Sequence, residues 1–477
     1  MFASQKSLGE AGRPASPLGF SEASRQSKGG FKIALSYHLR LKQLLFFKPE
    51  LYLPTGKAQS MNKFFFILYF ITLTLWAQAK ILIYMDLQQT DHLKAYGITF
   101  NALNDGNKAD WLLNYRGGSF MLDYSEKIAM RCRLKGVAFQ TLSNEEAVQI
   151  YSFVQSEDQN MDVARLEKAP RIAVFVPPTN NPWDDAVTLA LDYAEVPYSK
   201  IWIPEILKGD LEKYDWLHLH HEDFTGQYGK FYASFSGAQW YIDQQMTYEN
   251  DAKKLGFKKV SEMEKAVVLS IKSFVGKGGF LFAMCSATDT FDIALAAQNV
   301  DIADRMFDGD PPDPDAQKRL DFTQTFAFEN FKLEMNPLIY EYSDIDVQLA
   351  EVGDQRNDYF TLFDFSAKYD PVPTMLIQDH VNIVPGFMGQ TTMFHKKLIK
   401  KTITILGERS GTDQVKYIHG NYGRGTFTFY GGHDPEDYEH AVGNPPTDLS
   451  LHKNSPGYRL ILNNILFPAA KKKEQKT

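Results

Sequence analysis

Cysteine is the scarcest residue of this chain, since only Cys132 and Cys285 occur among 477 residues. Two cysteines exclude a small scaffold held together by several disulfides. Positive charge is not in excess either: the formal net charge is −7, which argues against nucleic acid as a partner. No repeat period is visible, so a solenoid or propeller is not expected. With 44% hydrophobic and 14% aromatic residues, the chain has enough apolar material for a large globular core.

A membrane-spanning run is also missing. The apolar segment FFFILYFITLTLW covers about 13 residues, whereas a helix that crosses a bilayer needs about 20. Met61-Asn62-Lys63 precedes this segment and Ala77-Gln78-Ala79 follows it. A basic start, a short apolar run and a small-x-small site are typical of a secretory signal peptide. We therefore predict a signal peptide over 61–79 and no membrane span in the mature protein.

Export to the periplasm or the outside follows from that signal. Residues 1–60 then form an extension that is disordered or not translated, because a signal peptide normally stands at the start of an exported chain. A basic cytoplasmic tail on a membrane anchor is the alternative interpretation of the same residues.

Strand and helix patterns alternate after the signal peptide. KILIYMDL (80–87), a helical pattern over 90–103 and DWLLNY (110–115) predict a small N-terminal βαβ region. Residues 121–160 have a mostly helical pattern. The break at Lys168-Ala169-Pro170 places a boundary near residue 165, which separates a region 80–165 from a domain 166–470.

The second region shows the same alternation at greater length. Its expected strands are RIAVFV, KIWIP, YDWLHLHH, GGFLFAM, QVKYIHG and TFTFYGG, and its expected helices cover 182–194, 261–275, 288–297 and 457–467. This pattern predicts an α/β fold with a doubly wound, mostly parallel sheet. The Asp/Pro-rich segment of about 300–365 is predicted to be a loop-rich insertion, and 471–477 a polar tail.

Cys285 stands between the predicted strand GGFLFAM and the following helix. A nucleophile on such a turn needs small residues two places to either side, and Ala283 and Ala287 meet this requirement. A helix N-terminus favours the thiolate form. Cys285 is therefore the candidate nucleophile, although a bridge to Cys132 or a merely buried side chain would also account for it.

His433 is the candidate base, because it follows directly on the predicted strand TFTFYGG. Cys285 and His433 would both lie at carboxyl ends of strands, where open α/β sheets bind their ligands. Glu436, or else Asp437, is expected to orient the imidazole. A surface histidine in a polar loop is the alternative.

WLHLHHEDFTG (216–226) is the richest polar cluster of the sequence. On a strand, His218 and His220 share one face and His221 points to the other. Two imidazoles and a carboxylate could bind Zn²⁺, but no third ligand has a recognisable spacing, so we assign no metal ligand and expect no cofactor. We predict instead that this strand end rims the pocket of Cys285, through His220, His221, Glu222 and Gly226.

An aromatic segment follows this cluster at 227–245. Its rings could stack on sugars, but the preferred interpretation is the core of a lid or small subdomain.

Strand, cysteine, helix and a much later strand that ends in Gly-His-x-Pro-Glu resemble the class I glutamine amidotransferase-like fold, including its trehalose-utilisation-type relatives. The resemblance covers about 170–470. It implies Cys285 as nucleophile, His433 as base, Glu436 as the acid that orients it, and the Ser286 amide as an oxyanion donor. This chain has His-Asp-Pro-Glu, one residue longer than the His-Pro-Glu of those enzymes, and alanines in place of the glycines beside the cysteine.

LLNYRGGSFMLD, WLHLHHEDFTGQYGKFY and FAMCSATDTFDIALAA also resemble bacterial exported proteins that are often labelled asparagine synthetase B. That chemistry needs a cysteine directly after the initiator methionine and a Ser-Gly-Gly-x-Asp-Ser loop, and the sequence has neither. We therefore expect an exported cysteine hydrolase that cleaves an amide or ester bond in a small or envelope-derived molecule. A non-catalytic protein that binds a carbohydrate or an envelope ligand on the same fold is the alternative.

Overall fold

The computed structural model describes residues 79–179, 181–347, 351, 358–438 and 441–471, and all statements below concern these residues. The predicted extension 1–60, the signal peptide except Ala79 and the polar tail except Lys471 lie outside them. The strands are β1 Lys80–Ile83, β2 Ala109–Leu113, β3 Ser119–Asp123, β4 Gln140–Leu142, β5 Asp162–Leu166, β6 Ile172–Phe175, β7 Ser199–Ile201, β8 Trp216–Leu219, β9 Phe280–Met284, β10 Tyr359–Leu362, β11 Ile383–Pro385, β12 Phe394–His395, β13 Thr404–Glu408, β14 Gln414–Tyr422 and β15 Gly425–Tyr430.

Twelve α-helices connect these strands within the described ranges. They are α1 His92–Asn104, α2 Glu126–Lys135, α3 Asn144–Val154, α4 Ala186–Ala194, α5 Ile203–Lys208, α6 Tyr232–Phe235, α7 Gln239–Leu255, α8 Val260–Gly276, α9 Ala287–Ala296, α10 Arg305–Asp308, α11 Pro371–Leu376 and α12 Pro456–Leu466. None of them is long and apolar enough to cross a bilayer.

The first sheet has the strand order β4-β1-β3-β2-β5, and every neighbouring pair is antiparallel. β1 and β2 both run antiparallel to β3, so they are parallel to each other, and α1 joins them. The predicted strand-helix-strand unit is thus present, but β3 is inserted between its strands. Residues 121–160, expected to be mostly helical, also supply the end of β3 and the edge strand β4.

The second sheet is mixed. Its parallel part has the order β7-β6-β8-β9-β15, and its antiparallel part continues with β14, β13, β10 and β11, while β12 pairs with β14. The expectation of a mostly parallel sheet is therefore wrong for this half. β14 and β15 are joined by a tight turn at Gly423, where φ is +60°, and a hairpin can only pair antiparallel strands.

Helices cover both faces of the parallel part. Ile172 and Val174 of β6 pack in a core with α1, α4, α12 and the inner face of the first sheet. Ala173 and Phe175 point the other way, into a core with α5, α8 and α9, because side chains of a strand alternate between faces. α1 and α4 cross closely at Gly97, where a Cβ would stand 1.8 Å from the Ala194 carbonyl oxygen.

The carboxyl ends of β6, β8, β9 and β15 meet at one edge of the second sheet. The predicted helix 182–194 begins only at Ala186, so Asp184 and Asp185 belong to the loop between β6 and α4. Asp185 is the N-cap of α4 and accepts hydrogen bonds from the Val187 and Thr188 amides (2.8 and 3.1 Å).

A buried carboxylate fastens the segment expected to be an insertion. Asp292 of α9 is fully buried and accepts hydrogen bonds from the backbone amides of Phe326, Ala327 and Phe328 (2.7, 2.7 and 2.9 Å). Burial raises the pKa of this carboxyl to about 6, although the three amides favour its charged form. The segment is therefore held against the helix that follows Cys285.

Candidate functional site

Cys285 occupies a strained turn between β9 and α9. Its φ is +50°, a left-handed conformation that costs a residue with a side chain about 1 kcal/mol or more. Its amide donates a hydrogen bond to the Gly432 carbonyl (3.1 Å), which follows the neighbouring strand β15. The predicted strand, cysteine and helix are all present, and the strain is of the kind that accompanies a nucleophile on such a turn.

The sulfur of Cys285 lies among backbone amides. It accepts a hydrogen bond from the Gln390 amide (3.3 Å), and the amides of Thr391 and Ser286 also favour the thiolate. Burial outweighs them and raises the pKa of this thiol to about 11, because the charged form loses its hydration. The other thiol, Cys132 of α2, is buried as well, and both cysteines are free, so the alternative of a bridge between them is wrong.

Residues 387–393 form a loop over Cys285, and no pattern in the sequence predicted it. Thr391 accepts a hydrogen bond from the Gly432 amide (2.7 Å) through its carbonyl and donates one to the Asp289 carboxylate (2.8 Å) through its hydroxyl. Gly389 packs so closely that a Cβ would stand 2.9 Å from Gly432. The loop thus runs along the strand end that carries His433 and closes over the sulfur.

Lys416 of β14 holds the loop 387–393 from the side of the sheet. Its ammonium is fully buried, donates hydrogen bonds to the carbonyls of Phe387 and Thr392 (2.5 and 2.9 Å), and lies 3.9 Å from the centre of the Phe387 ring. Burial lowers the pKa of this amine to about 7. The lysine therefore ties both ends of the loop to the sheet.

His433 lies beside two other histidines and one carboxylate. Its ring packs against those of His220 and His221, with centroids 4.5 and 4.4 Å away, and its Nε2 stands 3.2 Å from an Asp184 carboxylate oxygen. The sequence assigned the acid position to Glu436, but the carboxylate of Glu436 pairs with the His452 ring (2.7 Å). The carboxylate beside Nε2 of His433 is therefore that of Asp184, while the role of Glu436 stays a prediction.

The orientation predicted for His221 is also wrong. β8 ends at Leu219, so the alternation of side chains does not continue through the next residues. The rings of His220 and His221 are instead nearly parallel, with centroids 4.0 Å apart. The Nε2 of His221 lies 3.1 Å from the Asp184 carbonyl oxygen. Because a carbonyl oxygen only accepts hydrogen bonds, this ring nitrogen is the donor.

Three other predicted pocket residues have local structural partners. The Glu222 carboxylate accepts a hydrogen bond from the His220 amide (2.6 Å), and burial raises its pKa to about 8. Gly226 has φ +78° and lies against the start of α8, where a Cβ would stand 2.8 Å from Ser261. The close backbone approach at Gly226 is therefore to helix α8. Ser286 is fully buried at the start of α9, with its amide at the sulfur.

An aromatic group borders the histidines on the solvent side. Trp183 is half-buried, and its ring lies 5.3 Å from His221, 5.1 Å from Phe231 and 5.2 Å from Trp240 between centroids. Two of these aromatic residues come from the segment 227–245, so this segment contributes a wall beside the histidines. Trp183 comes from the β6–α4 loop, which the sequence did not associate with this wall.

The predicted nucleophile and base thus lie at the ends of adjacent strands. Cys285 is bonded through its amide to Gly432, the residue before His433. Their immediate surroundings differ: the sulfur faces the amides of Ser286 and Gln390, whereas the imidazole faces Asp184 and the other histidines. Proton transfer from the thiol to the imidazole requires contact between the two groups.

Comparison with known proteins does not assign the chain to a family. No family model and no curated protein matches it. Two solved structures, the cytoplasmic proteins STM3548 and STM1381 from Salmonella typhimurium, are similar at 11% and 10% identity, over 63% and 62% of this chain and 100% and 99% of theirs, with TM-scores of 0.32 and 0.34. A GH42 β-galactosidase, Gan42B, is similar at 10% identity over 56% of this chain and 28% of its own, with a TM-score of 0.25. Scores this low indicate neither a family nor a function.

Proposed function

We propose that the chain is an exported hydrolase of amide or ester bonds on a doubly wound, class I glutamine amidotransferase-like fold, with Cys285 as its nucleophile. The observation that carries the proposal is the φ of +50° at Cys285, on a strand-to-helix turn with three backbone amides directed at its sulfur. Export rests on the signal-like segment 61–79.

The proposed reaction is acyl transfer in two steps. The sulfur attacks the carbonyl carbon of the substrate while His433 takes the thiol proton, and the imidazolium then protonates the departing amine or alcohol. Water hydrolyses the resulting thioester and regenerates the thiol. Because the pKa of the thiol is about 11, the proton must leave as the carbon–sulfur bond forms. The amides of Ser286 and Gln390 are suited to stabilise the oxyanion.

A second candidate, a binding protein without catalysis, is favoured by the burial of the sulfur. Cys285 has no exposed surface, and the loop 387–393 covers it. In this case the ligand site is the half-buried wall of Trp183, Trp240 and His221, which is suited to stack on a sugar ring.

Intact-mass spectrometry during turnover separates the two candidates. The full chain is incubated with a panel of small nitrophenyl esters and anilides and quenched in acid. We expect a single acyl adduct in the wild type and none in Cys285→Ala, with hydrolysis slower by a thousandfold or more, on the order seen when other nucleophiles are removed.

Cys132→Ala is the matched control, because it removes the other buried thiol of the described chain and is expected to form the adduct normally. Undiminished hydrolysis in folded Cys285→Ala would contradict the nucleophile. Absence of any adduct in a folded wild type, together with binding of sugars by the aromatic wall, would favour the second candidate.

A further inference from the structure

Two buried imidazoles converge on one carboxylate oxygen at the carboxyl edge of the parallel strands. The Nε2 of His218 lies 3.3 Å, and the Nδ1 of His220 lies 3.2 Å, from the same Oδ1 of Asp185. His218 has no exposed surface, and His220 is 1% exposed. One ligand atom from each residue falls within 4.8 Å of the others.

The opposite nitrogen of each ring is already a donor. Nδ1 of His218 lies 3.2 Å from the Phe282 carbonyl, and Nε2 of His220 lies 3.1 Å from the His433 carbonyl. Carbonyl oxygens only accept, so these hydrogen bonds form when the single proton of each neutral ring lies on that nitrogen. In that tautomer the nitrogens that face Asp185 carry lone pairs, and a cation between them and the carboxylate would be attracted by all three ligand atoms.

Protons can fill this role only at a high cost. To keep the hydrogen bonds to the carbonyls and also place a proton on each facing nitrogen, both rings would have to be charged, and two buried imidazolium ions side by side repel each other. Nδ1 of His220 is moreover buried and not aligned for a hydrogen bond with Oδ1, despite their separation of 3.2 Å. A proton on that nitrogen would not point at its acceptor.

The separations fit a metal ion instead. Nitrogen and oxygen ligands bound to Zn²⁺ at about 2.0–2.1 Å in tetrahedral geometry stand about 3.3 Å from each other. The two nitrogen-to-oxygen distances of 3.2 and 3.3 Å have this value. In such a geometry the lone pair of each nitrogen points at the metal and not directly at the neighbouring ligand atom. This agrees with Nδ1 of His220, which lies 3.2 Å from Oδ1 of Asp185 without a hydrogen bond to it.

We infer that Asp185, His218 and His220 bind a divalent transition metal ion, with zinc as the ion best suited to two imidazoles and a carboxylate. The sequence singled out both histidines but offered no third ligand, and the structure supplies it from the β6–α4 loop. Each ring gives its other N–H to a backbone carbonyl, the usual outer partner of a zinc-bound histidine. Asp185 is 19% exposed at its side chain, which leaves a position for water.

The ion would hold the start of α4 against β8. It would also fix His220, whose ring lies 4.5 Å from that of His433 and whose Nε2 donates to the His433 carbonyl. The inference does not depend on the proposed acyl transfer, because it concerns other side chains and its test measures bound metal.

A second set of ligand atoms, from His220, His221 and His433, also lies within 4.8 Å. The ring of His220 is stacked on those of His221 and His433, with interplanar angles of 6° and 28°. Stacked planes direct their in-plane lone pairs side by side more than toward one point. The two sets share only His220, so variants of Asp185 and His221 distinguish them.

The test measures zinc binding by the purified full-length chain, stripped with a chelator and dialysed against micromolar ZnCl₂. Elemental analysis by mass spectrometry is expected to find about one zinc per chain in the wild type and in His221→Asn. Asp185→Asn keeps the helix cap, because asparagine is as good an N-cap as aspartate. It is expected to lower zinc affinity by about a hundredfold or more.

Co²⁺ provides a second readout that needs no variant. We expect the intense visible absorption of tetrahedral Co²⁺ on addition to the stripped wild type, and its displacement by Zn²⁺. The inference is overturned if the folded wild type binds no zinc and gives no such spectrum. It is also overturned if Asp185→Asn binds zinc like the wild type, or if His221→Asn loses the ion.

Discussion

Asp292→Ala is expected to lower the free energy of unfolding by about 4 kcal/mol or more. The carboxylate is fully buried and accepts the amides of Phe326, Ala327 and Phe328. Alanine leaves three buried donors without an acceptor, and each such group costs about 1–3 kcal/mol. Urea unfolding followed by fluorescence measures the loss, and proteolysis is expected to cut first within 321–331, since this segment is released from α9.

Asp321→Ala is the matched control. Asp321 is exposed and accepts one backbone amide of the same segment, from Thr323 (3.0 Å), together with the Thr323 hydroxyl and the Gln324 side-chain amide. Because these bonds are exposed to water, the loss of Asp321 is expected to cost about 1 kcal/mol or less. Asp292→Asn keeps one acceptor oxygen, so its loss in the free energy of unfolding should lie between those of the two alanine variants. Equal losses for the two alanine variants would show that the buried carboxylate does not anchor this segment.

Lys416→Met is expected to change how stability depends on pH. The pKa of Lys416 is lowered by burial to about 7, from an ordinary value of 10.5. Between these values the unfolded chain holds a proton that the folded chain has released, so the free energy of unfolding rises with pH by about 1.4 kcal/mol per unit through this group. The variant lacks this contribution. The free energy of unfolding of the wild type minus that of the variant should therefore rise by about 3 kcal/mol from pH 7 to about 9.5.

Three other groups face this ammonium, namely Asp358, Asp346 and Cys285. They are present in both proteins, so the difference between the two stability curves isolates Lys416 to a first approximation. Lys396→Met is the control, because that lysine is exposed and pairs with Glu408; its curve should run parallel to the wild type. A constant difference for Lys416→Met across this pH range would show that the folded chain keeps the ammonium protonated.

The strands and helices that form the site were predictable where apolar runs end in glycine or small residues. GGFLFAM gave β9, TFTFYGG gave β15, and the small residues after Cys285 gave α9 within one residue at each end. In each case the apolar pattern of the segment matches its buried position in the structure. The strand YDWLHLHH was predicted two residues too long at each end. At its carboxyl end, the histidines after Leu219 resemble a continued alternation that the backbone does not follow.

The partners of His433 were not predictable, because they come from distant parts of the chain. Sequence proximity favoured Glu436, while the observed carboxylate, Asp184, lies 249 residues earlier. The same applies to Asp185, which the helical pattern of 182–194 placed inside a helix. The antiparallel half of the second sheet was missed because β10, β11 and β12 are short and lie among loops that carry no periodic signal.

The last helix has a consequence for how the chain matures. Residues 457–466 of α12 are buried on every side, in the core that the two sheets share. During synthesis this layer stays open until residues 457–466 have emerged from the ribosome, so apolar surfaces on both sheets stay uncovered until then. A chain that crosses a membrane before folding would tolerate this delay, whereas one that folds as it emerges would need a chaperone to shield those surfaces.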